Sequence, residues 1–155
     1  IENVLKPIIT EGKKLLIVAP CHNNVVNTLA ANVLKNNLKI CAVPPPSFGY
    51  KQHELMHDIA VSVGATYFSE KTGDDLSHIT YADLGHAHKV VVSRDKTIIL
   101  KSDVKVNEQF VAERVSQLWA SHAEAKKKAD KDHLLERIAS LTGGIGVISW
   151  VATLT

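Results

Sequence analysis

Sulfur and aromatic side chains are scarce in this chain. Its 155 residues include two cysteines and one methionine, and aromatics make up only 5%. Cys21 and Cys41 stand twenty positions apart, so they form no C-x-x-C pair and supply no disulfide framework for a chain of this length. A reducing, cytoplasmic compartment is therefore the expectation. Cys41 falls in an apolar run, where a free cysteine is expected to act as a small hydrophobe. No stretch of 18 apolar residues occurs, which excludes a membrane-spanning helix of ordinary length and gives no membrane partner. The chain opens on Ile1 with a helical pattern rather than a secretory leader, and on this basis it is expected to be a fragment of a longer protein.

Charge of one sign is also lacking. The net charge is +2 with histidines neutral, and the densest basic group, Lys126 to Lys128, has acids close by. No nucleic-acid partner is expected from such a distribution. What remains is ordinary for a globular domain: 45% hydrophobic and 22% charged residues, in a chain long enough to bury a core.

Hydrophobic periodicity gives the order of elements. Ile1, Val4, Leu5 and Ile8 have helical spacing, with Gly12 as the stop and Pro7 as an interruption. "KLLIVA" reads as a buried strand, residues 24–36 as a helix capped by Asn23 or Asn24, and "LKICAV" as a second buried strand. Strand, helix, strand predicts a parallel crossover. A further helix covers "YKQHELMHDIAVSVG", ended by Gly64, and "TYFS" reads as a short strand. The polar stretch from Glu70 to Gly85 predicts short turns, and "KVVVS" with "TIIL" predicts a hairpin. A long helix is expected over 107–129, with Phe110, Val111, Val115, Leu118 and Trp119 as its stripe. A break at "DKD" then precedes a helix over "HLLERIASLT" and a glycine-rich turn into a last strand. Gly143 is expected to end that helix in a left-handed conformation. The fold class is α/β.

Residues 53–57 read HELMH, the H-E-x-x-H pattern by which a helix offers two histidines to zinc and a glutamate to its water. With eight histidines and eight glutamates in the chain, chance alone yields the pattern in roughly 2% of shuffled sequences. His53 and His57 share a helix face, but this face lies roughly 120° from the apolar stripe of Leu55, Ile59 and Val63. His86, His88 and Asp58 are available as a third ligand, yet none stands in a recognised zincin continuation. A zinc-dependent peptidase built on His53, Glu54 and His57 is thus the alternative, and an accident on a solvated face the preferred reading. "PPPSFGY" is a rigid loop between strand and helix rather than a polyproline ligand. "LTGGIGV" lacks the Lys-Ser/Thr of a phosphate loop.

Three segments together resemble one family. "CAVPPPSFGYKQHELMHDIAVSVGATYFSEKTG" is similar to a stretch of the GroEL-like group I chaperonins in which a strand passes through a Pro-x-Phe-Gly loop into a helix ending Asp-Ile-Ala. "YADLGHAHKVVVSRDKTIIL" resembles the family's Asp-Leu-Gly turn and paired strands, and "LLERIASLTGGIGVI" the helix and Gly-Gly hinge that follow. The likeness is colinear over nearly the whole chain. Pro46, Phe48, Gly49, Asp58, Ile59 and Ala60 match the family pattern, whereas His53, Glu54 and His57 do not belong to it.

The resemblance implies an apical domain, truncated at its N-terminus, over residues 1–142, with 143–155 as hinge and return strand. The sheet would combine buried parallel and antiparallel strands flanked by helices. Non-native polypeptides, and a co-chaperonin competing with them, would bind an apolar groove between the first two helices. By position, Leu5, Val26, Ala30 and Ala31 match groove residues, with Leu34 beside them and Lys35 at a basic position; Leu29 and Val33 are expected in the core. Asn32 matches a family asparagine, and Gly143 and Gly144 match the hinge. No catalytic site, metal or cofactor is implied for this fragment. ATP and Mg would belong to the equatorial domain of a parent that hydrolyses ATP and assembles as a homo-oligomeric ring. Glu2 and two alanines stand where the family carries larger apolar groove residues, which marks a divergent member, phage-encoded or from a distant bacterium.

Overall fold

A computed structural model describes residues 2–46, 49–93, 96–101, 108–143 and 145–149. The chain divides into two compact units. One comprises Ile1–Pro45 with Phe68–Asp83, the other Pro46–Tyr67 with Leu84–Thr155. Helix and strand are mixed in both, so the chain is α/β.

The first unit begins with α1 (Glu2–Glu11). Gly12 closes it at φ +63°. The Gly12 N–H donates to the Ile9 carbonyl, and the Lys13 N–H to the Ile8 carbonyl at 3.0 Å. This double bond is a Schellman stop, and it needs a residue that tolerates positive φ. Val4 and Ile8 are buried, as their spacing predicts. Then β1 (Leu15–Val18), α2 (Asn23–Asn36) and β2 (Ile40–Val43) form the crossover, with β1 and β2 parallel and Leu15 in register with Ile40. The strands are less buried than expected. Every residue of β1 is only half-buried, and Cys41 in β2 is exposed rather than a core hydrophobe; among the described residues this sheet has two strands.

Two local expectations fail here for identifiable reasons. The N-cap of α2 is His22, not Asn23 or Asn24, and no side chain caps it. Instead, the His22 carbonyl accepts from the N–H groups of Val25 and Val26. Second, "TYFS" forms no strand. The Ser69 carbonyl accepts from Thr72 and Asp74, and the Ser69 N–H donates to the Asp74 carboxylate at 3.0 Å, so turn bonds take the groups a ladder would need. Three single-turn 3-10 helices follow (Glu70–Thr72, Leu76–His78, Tyr81–Asp83). Lys13 reaches Tyr81 on the last of them, donating to its hydroxyl and lying 5.0 Å from its ring centroid.

The second unit starts with α3 (Gly49–Val63), which stops at Gly64 (φ +73°) with the Ala65 N–H bonded to the Ala60 carbonyl at 2.9 Å. β3 (Ala87–Val92) and β4 (Lys96–Lys101) form the expected antiparallel pair, and β5 (Ile145–Ser149) adds antiparallel to β4, giving the order β3-β4-β5. Thr97 and Ile99 of β4 share one face and are buried. α4 (Glu108–Glu124) and α5 (Lys128–Gly143) complete the unit.

The break between the last two helices comes at residues 125–127, before "DKD" rather than within it. Asp130 sits in the first turn of α5, where a carboxylate meets the positive end of the helix dipole. The acids of "DKD" thus start a helix instead of interrupting one. Leu118, Ile138 and Leu141 form the buried core of this hairpin, with Val111, Val115 and Leu134 packed on it. Phe110 and Trp119 are exposed, so the expected α4 stripe is narrower by its two aromatics. Gly143 remains the last helical residue of α5 and has no left-handed φ. Gly144 lies outside the described residues.

Candidate functional site

α2 is an unusual helix to find folded. Five of its fourteen residues are asparagine and three are valine, types of low helix propensity. Helices in proteins are usually held by packing an apolar face, yet no residue of α2 is buried. One stripe is satisfied by its own polar ladder. Thr28 Oγ1 donates to the Asn24 carbonyl at 2.8 Å, Asn32 Nδ2 to the Thr28 carbonyl at 2.8 Å, and Asn36 Nδ2 to Asn32 Oδ1 at 2.9 Å. These bonds offset the tendency of asparagine to pull a helix backbone apart. The other side carries Val33, Val26, Ala30 and Leu34, with Leu29 at its edge, while Val25 falls on the ladder's own side.

Along that side the exposure is graded. Leu29 is half-buried, and Val33, expected in the core, is exposed at 37%. Val26 is 44% exposed, Leu34 is 86% exposed, and Ala30, Ala31 and Lys35 all face solvent. Asn32, at the position matching a family asparagine, is half-buried within the ladder. On α1, Leu5 is half-buried between the buried Val4 and Ile8. Two exposed apolar residues were not anticipated, Ile9 on α1 and Val25 on α2. Ile9 stands four residues after Leu5, a spacing that places both on one side of α1. It also lines a shallow cleft, with Ile8 and Gly12, against Asn37 and Leu38 at the end of α2.

The HELMH residues lie in the other unit, on α3; His57 is exposed, as on a solvated face, but His53 and Glu54 are half-buried. Glu54 is engaged by two arginines: its Oε2 accepts from Arg114 Nη2 and from Arg137 Nη2, each at 3.0 Å. One turn later, Asp58 accepts from the same pair. Arg114 Nε donates to Oδ1 at 2.9 Å, and Arg137 donates through Nε to Oδ2 at 2.6 Å and through Nη2 to Oδ1 at 3.0 Å. Burial acts to raise the Glu54 pKa, but Arg114 and Arg137 outweigh it and hold the carboxyl below its ordinary range. Burial lowers the Arg137 pKa and its bonds to Asp58 and Glu54 raise it, with a net shift upward.

The histidines of the motif flank Tyr67. The ring centroids lie 5.2 Å apart for His53 and 6.4 Å for His57. Nδ1 of His53 is buried with no hydrogen-bond partner among the described residues, whereas a zinc ligand normally gives its second nitrogen to an orienting acceptor. Among the described residues no group of three or more His, Cys, Asp and Glu stands close enough to hold a metal ion. No described helix is long and apolar enough to cross a membrane.

The ion cluster was missed by sequence reasoning, although two signals point to it. Glu54 and Asp58 are like charges at i and i+4, which repel unless a cation is shared between them. Arg137 lies among Leu134, Ile138 and Leu141, on the buried stripe of α5.

No known family model matches the chain.

Proposed function

We propose that this chain is a polypeptide-binding module of the chaperonin apical type, in which α1 and α2 offer an apolar surface to non-native proteins. The observation that carries the reading is α2: a helix of weak propensity, with no buried residue, that leaves Val26 and Leu34 in solvent. An apolar patch of this kind on a soluble chain calls for a binding role. The resemblance in sequence order and the β1-α2-β2 crossover are in keeping with it.

The physics of capture is area removed from water. Full burial of a leucine side chain is worth roughly 1.5–3 kcal/mol, and Leu34, at 86% exposure, still has nearly all of that to gain. A client that covers Leu34, Val26 and Ala30 on α2, with Leu5 and Ile9 on α1, would meet apolar contact without sequence-specific hydrogen bonds. Lys35 would add a positive charge at the edge of the surface. A co-chaperonin segment would compete for the same side chains. In this reading Gly143 and Gly144 form the hinge to a parent ring, and ATP hydrolysis, with Mg, belongs to a domain outside this chain.

The test is aggregation of a chemically denatured client protein, followed by light scattering with the chain present, with and without a chelator. Suppression that persists in chelator and disappears in Val26→Glu and Leu34→Glu is expected. Unchanged suppression by both variants would remove the surface from consideration. Client fragments that appear only without chelator would instead favour hydrolysis through HELMH.

A further inference from the structure

Both helices of the apolar surface end at one place. α1 stops at Gly12 (φ +63°) and α2 at Asn37 (φ +53°), each in the left-handed region, and the two ends border a single shallow cleft. Ile8 and Leu38 in the cleft are buried, whereas Ile9 is 48% exposed. Ile9 therefore keeps apolar surface that a second chain can cover.

The charge around this cleft is of one sign. Lys13 and Lys39 line it, and no carboxylate is among its described lining residues. Lys13 is already engaged, with Glu11 as an ion pair and with the Tyr81 hydroxyl. Lys39 is exposed and forms no ion pair among the described residues, and the same holds for Lys35 in the last turn of α2. Residues 1–45 hold five lysines and two glutamates, a balance of +3 in a chain whose total is only +2. Three acids of the 3-10 segment in the same unit are bonded within its own turns: Asp74 accepts from Ser69, Asp75 from Ser77 and Asp83 from Thr80. Helix C-termini carry partial negative charge and by themselves favour a cation. Here the Ile8 and Ile9 carbonyls already accept from Lys13 and Gly12, and the full charges of Lys35 and Lys39 outweigh what remains.

We propose that this cleft selects, among non-native segments, those in which an aliphatic side chain stands close to glutamate or aspartate. The aliphatic group covers Ile9 beside Leu38, and the carboxylate meets Lys39, with Lys35 within the same end of α2. The inference rests on capture by α1 and α2, and gives that surface a preference in charge. Each exposed pair is weak, so the selection is graded, about two- to five-fold per charge.

Calorimetric titration of the 155-residue chain tests this, with two synthetic peptides of one aliphatic sequence, one flanked by glutamates and the other by lysines. The acidic peptide should bind about five-fold more tightly than the basic one at ~0.02 M salt, and the two should converge at about 1 M, where charges are screened beyond about 3 Å. Lys39→Glu, at an exposed side chain, should abolish or reverse the preference, and Lys126→Glu, between α4 and α5, should keep it. Equal affinities in low salt, or a preference untouched by Lys39→Glu, would overturn the proposal. If that equal binding is lost in Leu34→Glu, capture stands and the selection by charge alone fails. Binding of neither peptide would overturn the capture reading together with it.

Discussion

Arg137 Nε donates to Oδ2 of Asp58 at 2.6 Å while its Nη2 donates to Oδ1 at 3.0 Å, a two-pronged pair between residues 79 positions apart in the chain. Arg137 is only 6% exposed, so water cannot replace the carboxylate if it is lost. Asp58→Ala is expected to destabilise the second unit by about 3–5 kcal/mol, the usual result of leaving a buried charge without its partner. Arg137→Lys should fail to restore it, since an ammonium cannot form both prongs and also reach Glu54. Urea unfolding followed by circular dichroism measures both. A loss of under about 1 kcal/mol for Asp58→Ala, the range of an ordinary surface change, would show that the cluster contributes little.

Glu54 gives the acid side of the same cluster. Its carboxyl is held below the ordinary 4.5 despite burial, by Arg114 and Arg137. The unfolded chain then binds the proton first, so this contribution is present above 4.5 and is lost as pH falls through the lower native value. Glu54→Gln removes the linkage. Its unfolding midpoint should change less between about pH 5 and pH 3 than that of the wild type. Parallel curves would mean that the arginines do not favour the ionised form of Glu54.

What sequence could and could not reveal follows from the range of the interactions. Helix stops at Gly12 and Gly64, the β1-α2-β2 crossover and the β3-β4 pair rest on local signals, and each lies where periodicity and glycine place it. The break after α4 was misplaced because "DKD" reads equally well as a breaker and as the acidic first turn of a helix. Tertiary packing of Leu118 on Ile138 and Leu141 decides between the two. The Glu54–Asp58–Arg114–Arg137 cluster joins residues 56 to 83 positions apart, and no local pattern encodes such a pairing. On α2 the outward placing of Val26, Ala30 and Leu34 came from the family resemblance and not from periodicity. Leu29 and Val33 were expected in the core, yet Leu29 is only half-buried and Val33 is exposed, because helical angle alone does not reveal how small the neighbouring core is.

Gly85 belongs to the Asp-Leu-Gly turn, and the structure gives it a steric reason. A β-carbon there would lie 2.5 Å from the Val63 carbonyl oxygen and 2.9 Å from the Ala65 backbone nitrogen. The neighbouring His86 N–H also donates to the Val63 carbonyl at 2.9 Å, so the end of α3 cannot simply retreat. Gly85→Ala should therefore cost about 3 kcal/mol or more, the upper end for overpacking. Gly73→Ala, at φ +78° with open space around it, should cost only about 1–2 kcal/mol for its left-handed backbone. The comparison of their thermal midpoints checks the order, and the reverse order would contradict the close approach.

Thr97 is fully buried on β4, and its Oγ1 has no hydrogen-bond partner among the described residues. A hydroxyl kept from water without a bond is a net cost of about 1–3 kcal/mol. Thr97→Val replaces it with a methyl of nearly the same shape, and should raise stability by about 1 kcal/mol. Chemical denaturation measures the change. A destabilised valine variant would imply that the hydroxyl has a partner, and that this site is polar by necessity.

The binding surface predicts a separation between stability and capture. Leu34→Glu and Val26→Glu alter side chains that already stand in solvent, so each should change folding stability by no more than about 0.5 kcal/mol. Each nonetheless places a charge where a client's apolar side chain would be desolvated, and suppression of aggregation should vanish. Val4→Glu is the contrast, because Val4 is 4% exposed and an unpaired carboxylate buried there should unfold the first unit before binding can be measured. Glu54→Gln should leave suppression intact, since it lies on α3 in the other unit. If stability and capture instead fall together in Leu34→Glu, then Leu34 supports the fold, and the exposed side of α2 is not what holds a client.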